Sequence, residues 1–421
     1  MAERIDRPSY LNKLIEREGN GSIKVITGLR RCGKSYLLFD IFAEHLRSKG
    51  VPDDRIIQVA LDDDRNEELL DRHALGNYVR ERITDDSPFY VMLDEVQEVE
   101  GFERTLNGLA RIPNADIYVT GSNSKFLSSD VITEFRGRGD EVRVRPLSFS
   151  EFFPAYKGPL RDAWRDYYTY GGLPLVLSRT SHESKASYLR TLFEKTYLTD
   201  VRERNGIHDK GALDSIVRIL ASSVGSLTNP MRIANTFASN GMRGTDNKTV
   251  SSYIEHLREA FLVEKVQRYD VKGRAYISTP LKYYFTDLGV RNAVLNFRQQ
   301  EENHLMENAI YNELVTRGYS VDVGIVDTTV TNAKGKRERA RLEVDFVCNL
   351  ADRRYYVQSA YSVVDPSKAE QETRPLKKLD DSFKKVVVEA GDARSWHDEA
   401  HMTRTPVKRQ CGRGTGASEA S

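Results

Sequence analysis

Residues 24–40 read KVITGLRRCGKSYLLFD, and the fold of the N-terminal part of the chain turns on them. Ile23 to Thr27 is an apolar, β-branched run of strand length. Gly28-Leu29-Arg30-Arg31-Cys32-Gly33-Lys34-Ser35 fits G-x-x-x-x-G-K-[ST], and Tyr36, Leu37, Leu38, Ile41, Phe42 and Leu46 then keep a helical period. Strand, loop and helix in that order make a phosphate-binding loop. The glycines let successive backbone N–H groups turn inward on phosphate oxygens, and the helix N-terminus adds its positive end. Lys34 is expected to reach the β- and γ-phosphates of a nucleoside triphosphate, and the Ser35 hydroxyl to ligate Mg²⁺. The expected nucleotide contacts run without a gap from Gly28 to Tyr36.

Two further strands end in polar residues. Phe89-Tyr-Val-Met-Leu93 is a continuous apolar run, as a strand buried on both faces requires, and it stops at Asp94-Glu95-Val96-Gln97. Ile117 to Thr120 stops at Gly121-Ser122-Asn123-Ser124. Ligands of open α/β sheets sit outside the carboxyl ends of the strands, so these residues are expected beside the nucleotide. Asp94 is expected to hold Mg²⁺ through water, and Glu95 to act as the base that orients the attacking water. Asn123 or Ser122 would sense the γ-phosphate. Glu134-Phe-Arg136-Gly-Arg138 then precedes a strand candidate, Glu141 to Arg145. Charge developing on a transferred phosphoryl group favours an arginine finger, and Arg138, or failing it Arg136, is the candidate. A finger acting on a neighbour's nucleotide requires a homo-oligomer.

The bulk numbers set limits around this core. A length of 421 residues suggests about three domains. With 39% hydrophobic and 30% charged residues, the composition is that of a soluble globular chain. Lys plus Arg (63) nearly cancels Asp plus Glu (62), so any basic surface must be local. Cys32, Cys348 and Cys411 lack metal-ligand spacing, and a sparse, odd count suits a reducing cytoplasm. MAERIDRPSY has no apolar leader region, and no run approaches the roughly 18 apolar residues of a membrane span. A cytoplasmic protein without membrane contact is expected.

GLRRCGKS, DEVQ, TGSNS, the GR pair and the following RPLSFSEFF together resemble the bacterial and archaeal AAA-type ATP-binding proteins. YYTYGGLPLVL, KTYLTDV and LKYYFTDLGVRNAVL extend that resemblance over roughly residues 1 to 390. It implies a P-loop ATPase core, a parallel sheet between helices, ahead of a C-terminal region of uncharacterised role. It also implies ATP and Mg²⁺ as cofactors and the roles already given to Lys34, Ser35, Asp94 and Glu95.

The middle of the chain is helical. Trp164, Tyr167, Tyr168 and Tyr170 surround YGGLP, and a long helix is expected from about Ser184 to Val201; the aromatics read as core rather than as a base-stacking platform. Leu213, Ile216, Val217 and Leu220 form one stripe, Asn229-Pro230 starts a second helix, and Val250, Ile254, Leu257 and Phe261 mark a third. QRYDVKGRAYISTPLKYYFTD then alternates as two strands around Lys272-Gly273. Three helices and a hairpin resemble a winged helix, which implies DNA contacts from Lys248, Thr249, Ser251 and Ser252, with Arg268, Lys272 and Arg274 on the wing. A lid or protein-contact module is the plainer alternative.

Beyond it, Glu307 and Glu313 fall on an expected amphipathic helix with Leu305, Ile310 and Leu314. A hairpin with the basic loop Lys334-Gly-Lys336-Arg337-Glu-Arg339 leads into RLEVDFVCNL and RRYYVQSAYSV, where alternation puts Glu343 and Asp345 on one strand face. This series resembles the PD-(D/E)xK nuclease fold, in which carboxylates hold Mg²⁺ and a lysine assists water. Here Gln358 replaces the second acid and Ala360 the lysine, so an inactive, binding domain is expected. HDEAH at 397–401 lacks the spacing of a zinc protease, and its polar surroundings are expected to be unfolded.

The resulting expectation is an α/β protein in five parts: an ATPase domain (1–155), a helical lid (156–210), a winged-helix-like domain (211–295), a nuclease-like domain (296–390) and a disordered tail (391–421). Its expected activity is Mg·ATP-dependent switching or remodelling on DNA or another nucleic acid. An ATP-gated protein–protein switch and an ATP-dependent nuclease are the alternatives.

Overall fold

The computed structural model describes residues 4–121, 135, 137–239, 246–298, 301–331, 336–361, 366–390, 396–397 and 403–406. Contacts divide the chain into two units, Met1–Pro146 with Glu259–Phe261, and Leu147–Arg258 with Leu262–Ser421.

In the first unit, β1 (Ile23–Gly28), β2 (Ile56–Ala60), β3 (Phe89–Asp94), β4 (Ala115–Thr120) and β5 (Gly139–Val144) form an all-parallel sheet in the order β2-β3-β4-β1-β5. β1 and β3 are buried at every position, as their apolar runs require. Lys24 is the exception in composition; its buried ammonium pairs with Asp116 on β4 and lies 5.1 Å from the Tyr118 ring centroid. Val25, Val91, Leu93 and Val119 pack with helix residues Leu75, Val79 and Leu106. β2 has no counterpart among the expected strands, because Gln58 breaks its short apolar run. Its side chain is satisfied locally, donating to the Phe39 carbonyl at 3.0 Å.

The second unit begins with helices. Trp164 and Tyr167 are buried with Phe149 and Phe152; Phe149 and Trp164 meet edge to face at 5.1 Å. These aromatics are core. YGGLP is explained by a carboxylate. Asp287 caps the helix Leu288–Val294 through the Val290 N–H (2.9 Å) and also accepts the Gly172 N–H (2.8 Å). Gly171 has φ +76°, and a Cβ there would lie 2.2 Å from Asp287 Oδ1, so only glycine lets the carboxylate approach. The YGGLP and TDLG stretches therefore hold each other.

β6 (Val263–Asp270), β7 (Ala275–Phe285), β8 (Ser320–Thr331), β9 (Arg337–Leu350), β10 (Arg353–Ala360), β11 (Lys384–Glu389), β12 (Trp396–His397) and β13 (Thr403–Pro406) make one mixed sheet, in the order β12-β13-β11-β10-β9-β8-β6-β7. Three expectations change here. The β6–β7 hairpin exists, but β6 also pairs with β8 through Arg268–Asp270 and Val323–Ile325. A boundary at residue 295 would cut that ladder, so residues 211–295 and 296–390 do not separate. The helix Glu302–Thr316 is buried on all sides from Leu305 to Leu314 rather than amphipathic. Its polar residues face inward: Asn308 brackets Phe285, accepting its N–H (2.9 Å) and donating to its carbonyl (2.8 Å), and Asn312 donates to the same carbonyl at 3.0 Å. Finally, residues 396–397 and 403–406 of the expected unfolded tail are strands. β13 lies parallel to β11, where main-chain pairing requires little apolar sequence, and Thr405 is buried.

Candidate functional site

The loop between β1 and the helix starting at Lys34 lies at the carboxyl end of the parallel sheet. Arg31 (φ 68°) and Gly33 (φ 98°) are both left-handed, which turns the backbone sharply before the helix. A Cβ on Gly28 would stand 2.0 Å from the Val144 carbonyl oxygen, so the loop can rest on β5 only with glycine there. Leu29 and Cys32 are buried beneath the loop, and the Cys32 thiol donates to the same Val144 carbonyl at 3.4 Å. They offer a ligand backbone groups alone. Arg30, Arg31 and Tyr36 are exposed. Lys34 is buried and folded back, its ammonium donating to the Gly28 carbonyl at 3.3 Å. Arg7 supports the loop from behind, donating to the Cys32 carbonyl (3.1 Å) and the Arg145 carbonyl (2.8 Å).

The end of β3 faces this loop. Burial pushes the Asp94 carboxyl above its ordinary pKa, against hydrogen bonds from Thr120 and Ser35 that favour its ionised form. Ser35 and Asp94 are thus within hydrogen-bonding reach of each other. Glu95 follows in a left-handed conformation (φ 50°), costly for a residue with a side chain. One residue fixes both acids: the Thr120 hydroxyl, at the end of β4, donates to Asp94 Oδ1 and accepts the Glu95 N–H at 3.0 Å. Gln97 donates to Glu95 Oε2. The sequence reading gives Thr120 and Arg7 no part here; a hydroxyl at the buried end of an apolar strand was the available signal. A serine hydroxyl beside an aspartate carboxylate is an oxygen donor set suited to a hard divalent cation, so these residues fit Mg²⁺.

Arg138 is exposed and lies at the other end of the sheet. Its carbonyl accepts the Ile23 N–H (2.8 Å), and β1–β5 register pairs Ile23 with Gly139 but Gly28 with Val144. The length of β5, about 16 Å at some 3.3 Å per residue, separates it from the chain's own phosphate loop. Ser122, Asn123 and Arg136 lie outside the described residues.

In the second unit the carboxylates singled out by sequence do converge. Glu307, from the helix Glu302–Thr316, and Glu343 and Asp345, from β9, all approach the ammonium of Lys282 on β7, at 2.7, 2.7 and 3.8 Å. Gln358 and Ala360 are buried on β10. Glu313 stands apart, on Ser150 and Arg317, with burial pushing its carboxyl up to about 7. Of the residues expected on DNA, Lys248, Lys272 and Arg274 are exposed and Thr249 is half-buried. Arg268 is buried and is not available to phosphates. Among the described residues no helix is long and apolar enough to cross a membrane.

Residues 20–153 match the AAA domain, and residues 161–301 match a domain of unknown function. An uncharacterized protein of Haemophilus influenzae is 33% identical over 390 residues, covering 91% of this chain and 93% of that protein. An uncharacterized protein of Methanocaldococcus jannaschii is 24% identical over 372 residues, 85% of this chain and 78% of that one. Among solved structures, the Aeropyrum pernix ORC1 protein in complex with DNA superposes with a TM-score of 0.31 at 13% identity, over 70% of this chain and 93% of that one; a likeness so loose carries nothing for function. The relationship to the Haemophilus protein runs nearly end to end in both, and the chain, whose residues 20–153 match the AAA domain, belongs to one family with it.

Proposed function

We propose that this chain is an Mg²⁺-dependent ATPase of AAA type that acts as a switch or remodeller. The observation that carries the reading is the arrangement of Lys34 and Ser35 opposite Asp94 and Glu95, with Thr120 joining the two acids. The loop's backbone N–H groups and Lys34 would bind the β- and γ-phosphates, and Tyr36 would flank the nucleotide. Glu95 would take the proton of the attacking water, and Asn123 would sense the γ-phosphate. Mg²⁺, held by Ser35 and through water by Asp94, would supply positive charge to the phosphate oxygens. Phosphate release from ATP should therefore stop in the presence of a chelator and return with added Mg²⁺. Turnover that continues without any divalent ion would defeat the reading.

Nucleic acid is the partner that the surface favours. β8 and β9 pair as a ribbon from Asp327–Arg341 to Thr331–Arg337, and the sequence 327–342 carries five Lys or Arg against Asp327 and Glu338. Arg337, Arg339 and Arg341 are exposed at alternate positions of β9, hence on one face, and Arg341 is held by Asp327 at 3.1 Å. A two-stranded ribbon fits a major groove. Lys248, Thr249 and Arg274, in a winged-helix-like segment, are a second candidate contact, and the nuclease-like strands β9 and β10 would then serve binding. Affinity for duplex DNA should fall steeply with salt. Changing Arg337, Arg339 and Arg341 together to Ala should reduce the log–log slope by about two, since each freed phosphate contact contributes about 0.9 and Arg341 is already paired. Loss of binding only when Lys248 and Arg274 are changed would move the contact to the helical segment. No affinity for DNA at any salt would favour an ATP-gated protein–protein switch.

A further inference from the structure

The residues that resemble a nuclease centre contain a cation of their own. Lys282 belongs to neither motif strand; it lies in PLKYYF, on the far half of the β6–β7 hairpin. The ladder of that hairpin shifts register between Val266 and Arg268, a bulge that bends and re-aims a strand. Beyond it, Lys282 is almost fully buried, and its ammonium lies 2.7 Å from Glu307 Oε1, 2.7 Å from Glu343 Oε1 and 3.8 Å from Asp345 Oδ1. Burial alone would discharge a lysine. The charges of Glu307, Asp345 and Glu343 outweigh it and hold the group protonated above its ordinary range, while burial and Glu307 drive Asp345 toward its neutral form.

Two of these acids have further donors. Glu307 Oε1 accepts the Tyr284 hydroxyl at 2.5 Å, and Asp345 Oδ2 accepts the Ser359 N–H at 2.8 Å. Gln358, where a metal-binding acid would stand, accepts the Asp345 N–H and donates to Glu372, both at 3.3 Å. Divalent ions bind carboxylate oxygens at about 2.0–2.6 Å, so an ion shared by Glu307 Oε1, Glu343 Oε1 and Asp345 Oδ1 would have to stand where the ammonium stands. Two cations cannot occupy that one position, so an ion there would first have to displace the ammonium from its carboxylates. The donor set thus does not fit the metal that its resemblance implies.

We propose that Lys282 is the resident cation of this centre, occupying the place of a divalent ion and closing the Glu307–Glu343–Asp345 cluster against metal. The lysine absent from position 360 is replaced in charge, and the centre is a structural core for the sheet and the helix Glu302–Thr316 rather than a place where metal activates water. The proposal stands on distances and not on the ATPase or nucleic-acid readings, so its failure leaves those untouched.

The test is Mn²⁺ binding to the nucleotide-free full-length protein, followed by the electron paramagnetic resonance signal of the free ion. The wild type should have no Mn²⁺ site that Asp345→Asn abolishes. Lys282→Met should gain one, at least about a hundredfold tighter than any wild-type binding, because a like charge beside the ion has been removed. Adding Asp345→Asn to Lys282→Met should erase the gain. A wild-type Mn²⁺ site lost in Asp345→Asn overturns the proposal, as does a folded Lys282→Met that gains nothing. If Lys282→Met does not fold, the wild-type and Asp345→Asn titrations decide by themselves. Plasmid incubated with wild type and Mn²⁺ should remain uncut, and cleavage that disappears in Asp345→Asn counts against the proposal equally.

Discussion

Lys34→Ala will fold and lose measurable affinity for ATP, whereas Glu95→Gln will bind ATP and turn it over about a thousandfold more slowly, within the range assigned to a general base. The two variants separate because the side chains differ in what they touch. The Lys34 ammonium is buried against the Gly28 carbonyl, so its removal leaves no charge unpaired and the loop keeps its shape. What disappears is the positive group proposed to meet the phosphates. Glu95 is held by its backbone, through Thr120, and by Gln97; glutamine in its place keeps the size and loses only the basic carboxylate. A fluorescent ATP analogue measures the first effect and phosphate release the second, with melting temperatures as the check on folding. Hydrolysis by Glu95→Gln at the wild-type rate would remove Glu95 from the role of base. Thr120→Val should lie between the two: Asp94 loses a donor, the Glu95 N–H loses its acceptor, and both acids remain.

The first unit was legible because its chemistry is local. Eight consecutive residues, 28–35, specify the loop, and apolar runs ending in polar residues mark β3 and β4. β2 escaped because a polar residue divides its short run, and tertiary pairing rather than pattern makes it a strand. The second unit was legible only in fragments. Glu343 and Asp345 fell on one face by simple alternation, yet the charge that completes their cluster comes from Lys282, 61 residues before Glu343 in the sequence. No spacing rule connects the two. The helix Glu302–Thr316 misled for a related reason. Glu307, Asn308, Asn312 and Glu313 gave it an apparent wet face, but a polar residue reads as exposed only until a buried partner is known. Phe285 and Lys282 are those partners for Glu307, Asn308 and Asn312, and Ser150 and Arg317 for Glu313. The expected wing was legible only in part: alternation predicted the hairpin and could not reveal that β6 has β8 on its other side.

Arg138→Ala will lower ATP turnover by about a thousandfold or more, the lower end of what a phosphate-contacting arginine contributes, without weakening ATP binding. Mixing it with Glu95→Gln will then restore activity that neither variant has alone. The argument starts from the strand register. Arg138 precedes β5 at the end where Ile23 pairs with Gly139, whereas the phosphate loop leaves β1 at the end where Gly28 pairs with Val144. With roughly 16 Å of strand between them, an arginine side chain cannot span the distance to its own nucleotide. An exposed Arg138 therefore either does nothing for catalysis or serves a neighbouring copy joined head to tail, where each nucleotide lies between the acids of one copy and the arginine of the next. In an equal mixture of the two variants, about a quarter of such interfaces pair an intact Glu95 with an intact Arg138 if copies associate at random. Turnover near that fraction of wild type, rising from two nearly inactive preparations, has no explanation within a single chain. Lysine at the position should rescue poorly, since it lacks the planar, two-pronged donor geometry that matches phosphate oxygens. Absence of rescue at every mixing ratio, with light scattering reporting a monomer in the presence of ATP, would eliminate the shared site and return Arg138 to the solvated surface.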